Sequence, residues 1–119
     1  MKIAIFCNHG NVRSRALKYL IWRLNGRCTD TTQEGIENYT KYEAVALGAH
    51  STTLETKKTF IDWADKVIDL SDNDQNIQPL LKELAKEKYI RFDIGPDIWH
   101  DPINPDLISK LKPLVKEIK

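Results

Sequence analysis

Four short apolar runs recur along the chain: KIAIF at residues 2–6, EAVAL at 43–47, KVIDL at 66–70 and KYIRFDI at 88–94. Each is strand-length, and patterned stretches of ten residues or more separate or follow them. A strand, a helix-length crossover and another strand make a parallel pair, because only antiparallel strands can be joined by a tight turn. The alternation therefore limits the chain to an α/β architecture with right-handed crossovers.

The stretches between the runs carry helical periodicity. At 14–25 the apolar positions Ala16, Leu17, Leu20, Ile21 and Leu24 form one stripe, and Asn25-Gly26 follows as a stop signal. Thr52 and Glu55 have capping-box spacing, which predicts a helix from there through Trp63. A third helix is expected over 76–87, with Pro79 near its first turn and Leu80, Leu81 and Leu84 on one face. Asn104, Pro105 and Asp106 supply a cap, a first-position proline and a first-turn acid for a last helix. Pro113 is expected to kink or interrupt that helix. Residues 27–41 are polar and turn-rich and read as a surface loop. The fold predicted is α/β: a small doubly wound four-stranded parallel sheet, order 2-1-3-4, with helices on both faces and one domain over residues 1–119. Such sheets bind ligands beyond the carboxyl ends of their strands. Loops 7–13 and 94–103 both leave the sheet at that edge, so "DIGPDIWHDP" should share a crevice with the loop after the first strand.

Composition narrows the partners. The 119 residues carry 18 Lys and Arg against 17 Asp and Glu, a formal net charge of +1. That balance gives no general electrostatic reason to expect nucleic acid or an anionic membrane surface as partner. No apolar run approaches the roughly 20 residues of a membrane span. Two cysteines, Cys7 and Cys28, are too few for a disulfide framework and lack zinc-ligand spacing. A thiol at a strand-to-helix junction fits a reducing compartment, so a cytoplasmic protein is expected.

Any anion specificity must then be local, and "CNHGNVRS" at residues 7–14 supplies it. A loop entering a helix presents backbone N–H groups outward, and the helix dipole adds positive potential. Gly10 can take the left-handed conformation that curls successive N–H groups into an anion cradle. Arg13 offers a planar, permanently charged fork matched to phosphate oxygens. The same positive surroundings favour the thiolate of Cys7, a nucleophile able to attack phosphorus in line. Ser14 can donate a hydrogen bond that holds the thiolate charged. Asn8, His9, Gly10, Asn11 and Val12 complete the cradle. Nothing in that design calls for a metal ion or an organic cofactor.

The stretch resembles the Cys-x5-Arg-Ser signature of the low-molecular-weight protein tyrosine phosphatases, which also carry it directly after their first strand. The likeness is closest to a branch of short, phosphatase-like members of that family. It extends through "WADKVIDLSD" to a "PD…DP" segment and a final helix. It is weakest between residues 27 and 42. The resemblance implies a cysteinyl-phosphate intermediate on Cys7, with Arg13 as phosphate clamp and Ser14 as thiolate stabiliser. An aspartate after the fourth strand would protonate the leaving oxygen and then activate water. Asp97 is favoured for that role because it follows Pro96 at the family's distance from the strand and precedes Trp99 by two residues. Asp101, in the literal Asp-Pro pair with Pro102, is the alternative. Trp99 would wall the site against a phosphorylated ring. Two departures stand out: Gly10 replaces an asparagine common in the family, and Val12 replaces a second loop cysteine, so no loop disulfide can protect Cys7.

The expected ligands are a phosphorylated small molecule or phosphoprotein, with inorganic phosphate or another oxyanion in the loop. Two other functions remain compatible with the motif. A non-catalytic phosphate or phosphoprotein-binding module would keep the cradle but has no need of the thiol. An arsenate reductase of similar fold needs relay cysteines later in the chain, and Cys28 precedes the second strand. Cys28, His50, His100, Arg15, Trp22 and Trp63 carry no motif and read as structural or solvent-facing residues. His9 belongs to the loop and reads as solvent-facing before substrate-facing.

Overall fold

The computed structural model describes residues 1–8, 12–24, 43–71, 77–94 and 104–118. Their elements run β1 (Lys2–Cys7), α1 (Arg13–Leu24), β2 (Glu43–Gly48), α2 (Leu54–Trp63), β3 (Lys66–Asp69), α3 (Ile77–Ala85), a single 3-10 turn (Lys86–Lys88), β4 (Tyr89–Arg91) and α4 (Pro105–Ile118). The four strands form one sheet in the order β2-β1-β3-β4, and every pair is parallel. The 2-1-3-4 order expected from the alternation is thus the observed one. The polar stretch 27–41 lies outside the described residues.

β1 organises the sheet because it pairs on both sides. Its register runs from Lys2 opposite Glu43 to Cys7 opposite Gly48, and from Ile3 opposite Lys66 to Phe6 opposite Asp69. Successive side chains of a strand point to opposite faces, and β1 distributes its residues accordingly. Ile3, Ile5 and Cys7 join a core cluster with Ala16, Leu17, Leu20 and Ile21 of α1 and Leu107, Leu111 and Val115 of α4. Ala4 and Phe6 join another with Ile61 of α2 and Ile77, Leu81 and Ala85 of α3. Both faces of β1 are apolar, as a central parallel strand requires.

Three local expectations change. The N-cap of α2 is Thr53, whose side chain accepts the Thr56 N–H at 3.1 Å. Thr52 instead turns its hydroxyl onto the Gly48 carbonyl at 2.6 Å, a local side-chain bond that competes with capping. β4 spans three residues where 88–94 was expected, because Lys88 belongs to the 3-10 turn and Phe92 adds only one further bond, its N–H to the Asp69 carbonyl at 3.1 Å. Lys86 enters that turn with φ 54°, a left-handed conformation that ends α3 without the glycine sequence reasoning looks for. At α4 the start signal acts as expected: the Asn104 side chain accepts the Asp106 N–H at 2.9 Å. The helix runs on through Pro113. Pro113 and Ser109, the residue four positions earlier, are both exposed, so the carbonyl that loses a helical donor faces water. No helix among the described residues is long and apolar enough to cross a membrane.

Candidate active site

The carboxyl end of β1 and the first turn of α1 meet through side chains. β1 ends at Cys7 and α1 begins at Arg13, so five residues cover the reversal. Cys7 Sγ lies 3.2 Å from Ser14 Oγ. A thiol donates to the hydroxyl oxygen across that contact, and a thiolate accepts from the hydroxyl, whose proton rotates to suit. Arg13 Nη2 donates to Asn8 Oδ1 at 3.1 Å, and Arg13 Nε is enclosed with no acceptor among the described residues. Arg13 and Ser14 are both fully buried, and Cys7 is 2% exposed. Buried positions for an arginine and a serine at a helix start are unusual, since solvent normally serves such groups. Val12 packs against the α1 and α4 core cluster, and its carbonyl accepts the Ala16 N–H at 2.9 Å.

Of the residues expected in the site, the structure therefore brings together Cys7, Asn8, Arg13 and Ser14, with Val12 beside them. His9, Gly10, Asn11, Asp97, Trp99 and Asp101 lie outside the described residues.

The segment after β2 also borders this site, which sequence reasoning did not anticipate. Ala49 N–H donates to the Cys7 carbonyl at 2.7 Å, and His50 N–H to the Asn8 carbonyl at 2.8 Å. The chain then turns sharply: the Ser51 and Thr52 N–H groups both reach the Gly48 carbonyl, at 3.3 and 3.1 Å. The turn thus lies beside the loop's first two residues. Its signal was the β1–β2 register, which local motifs do not reveal.

A second polar cluster sits at the ends of β3 and β4. Asp69 is fully buried. Its Oδ1 accepts the Ser71 N–H at 2.9 Å and the Ser71 hydroxyl at 2.5 Å, and its Oδ2 accepts the Tyr89 hydroxyl at 2.7 Å. Arg91 donates to the Ser71 carbonyl at 2.6 Å and stands 3.6 Å from Asp69 Oδ1. Burial pushes the Tyr89 phenol well above its ordinary value, and its hydrogen bond to Asp69 adds to the rise; the nearby Arg91 opposes it. These residues tie the two strand ends together. An open groove of about 640 Å³ adjoins them, lined by Gln78, Pro79, Lys82, Tyr89, Arg91 and Asp93.

Among the described residues, no three His, Cys, Asp or Glu side chains converge in a way that would hold a metal ion. Comparison of the chain with protein-family models, with curated proteins and with solved structures finds no match in any of the three.

Proposed function

We propose that the chain is a cysteine-dependent phosphatase that hydrolyses phosphomonoesters, phosphotyrosine-like groups among them, in a reducing cytoplasmic setting. The observation that carries this reading is the Cys7–Ser14 contact of 3.2 Å beside a buried Arg13, at a strand-to-helix junction. A thiol serving only as a small core residue needs neither a hydroxyl partner nor a neighbouring buried cation.

In the proposed reaction the Cys7 thiolate places an electron pair on phosphorus. The bond from phosphorus to the ester oxygen breaks, and Asp97, or Asp101 in its place, transfers a proton to that leaving oxygen. A water then attacks phosphorus as the same carboxylate takes its proton. The sulfur–phosphorus bond breaks, releasing inorganic phosphate and restoring the thiolate. Arg13 and the loop N–H groups stabilise charge on the non-bridging oxygens where it develops.

The test is hydrolysis of an aryl phosphate by the wild type and by Cys7→Ser, each with excess chelator. Turnover in the wild type and the uncatalysed rate in the variant are expected. A wild type that binds phosphate without turning it over replaces the phosphatase with a binding module. Activity surviving in Cys7→Ser overturns the nucleophile.

A further inference from the structure

The groove between α3 and β4 lies on the side of the sheet that the proposed reaction does not use. Tyr89 packs with the cluster that holds Ala4 and Phe6, whereas Cys7 belongs to the other, with Ile90, Phe92 and Ile94. Alternation then places Tyr89, Arg91 and Asp93 together on the α3 side. Gln78, Pro79 and Lys82 of α3 form the opposite wall, and the open space between the walls is about 640 Å³. The residues that α3 turns inward, Ile77, Leu81 and Ala85, pack with Val67 of β3. α3 therefore covers β3 and leaves a gap over β4, the outermost strand in the order β2-β1-β3-β4. Parallel strands are ordinarily covered on both faces, and all of β4 is only half-buried.

Two of the lining side chains are already held in place. Tyr89 gives its hydroxyl to Asp69 Oδ2 at 2.7 Å, and Arg91 donates to the Ser71 carbonyl at 2.6 Å. Side chains fixed before binding lose little rotamer freedom on contact, and tyrosine and arginine are the types that anchor protein interfaces.

The walls also carry opposite signs. Lys82 on α3 is exposed, as is Asp93 past the end of β4. A uniformly anionic or cationic partner would satisfy one and oppose the other. A second copy of this chain carries both. In a two-fold arrangement the contact of Lys82 with the partner's Asp93 is repeated in reverse. The net charge of +1 leaves little overall repulsion between copies. We propose that the α3–β4 groove is the interface of a homodimer, closed by reciprocal Lys82–Asp93 ion pairs. This inference stands apart from the proposed function, because the groove shares no residue with the Cys7 loop and lies on the other face of the sheet.

The test is sedimentation equilibrium. Between about 1 μM and about 1 mM, a span covering weak to moderate specific affinities, the average mass of the wild type is expected to rise toward that of two chains. Lys82→Glu and Asp93→Lys each turn both ion pairs into repulsions and should weaken association by about tenfold or more, the scale of two surface pairs. An equimolar mixture of the two variants should recover the dimer, because each chain then meets the opposite charge on the other. Lys82→Glu and Asp93→Lys combined in one chain should dimerise as well. A wild type that stays monomeric throughout overturns the inference, gives the groove to a different occupant and leaves the phosphatase reading untouched. A dimer indifferent to both reversals overturns it too, as does a loss that neither the mixture nor the double variant restores.

Discussion

At the scale of single residues, the Cys7–Ser14 contact makes the sharpest demand. The Ser14 hydroxyl stands 3.2 Å from the sulfur, and it is fully buried. If it holds the thiolate ready for attack, Ser14→Ala lowers kcat on an aryl phosphate by about tenfold to a hundredfold, the range for one hydrogen bond to a charged group. KM should move less, because in the proposed mechanism the phosphate is held by the loop and Arg13 and not by this hydroxyl. An equal loss in binding and turnover would assign the hydroxyl to loop shape. This pair was readable from sequence because its members are seven residues apart, and a strand followed by a helix brings such neighbours together. His50, Asp69 and Tyr89 were not readable in the same way. Their roles depend on which strands pair and in what register, and no local spacing encodes that. Asp69 carries no motif in "KVIDL", yet it is the acceptor for Ser71 and, across the β3–β4 pair, for Tyr89.

Among the elements, existence and type were legible, and boundaries followed local competition. Two adjacent threonines precede α2, and the capping-box spacing to Glu55 pointed to Thr52; the Gly48 carbonyl captured Thr52 and left the cap to Thr53. β4 was overestimated because the apolar pattern of "KYIRFDI" continues past the point where pairing with β3 stops. What β4 keeps is a polar anchor, and that anchor has a pH signature. The folded Tyr89 phenol holds its proton more strongly than the unfolded one, whose ordinary value is near 10. Its contribution to stability is fully present below that pH and is lost as pH rises toward the higher folded value. Urea midpoints measured from about pH 9 to about pH 11 should therefore fall more steeply in the wild type than in Tyr89→Phe. Matching slopes would mean that the phenol has no such preference. At neutral pH the variant should be less stable, since Asp69 Oδ2 loses its phenol donor.

For the molecule as a whole, stability converges on β1. Ile5 is fully buried, pairs with Ala46 on one side and Ile68 on the other, and belongs to the cluster that also holds Cys7. Ile5→Ala should cost about 2–5 kcal/mol, a large part of the roughly 5–15 kcal/mol typical of a folded domain. A urea titration reads that loss. Leu54→Ala, at a position 48% exposed, should stay within about 0.5 kcal/mol of the wild type. A similar shift in both would contradict the placement of the core. The alternation of strands and helices foretold this centre, since order 2-1-3-4 makes β1 an interior strand. The cluster that holds Cys7 also holds Leu107, Leu111 and Val115 of α4, a helix encoded about a hundred residues after that cysteine. During synthesis the cysteine leaves the ribosome long before the helix that covers its neighbourhood. Until α4 docks, the thiol is open to oxidants and to stray metal ions. The cover over this thiol is therefore a property of the whole fold and not of the short motif that contains it.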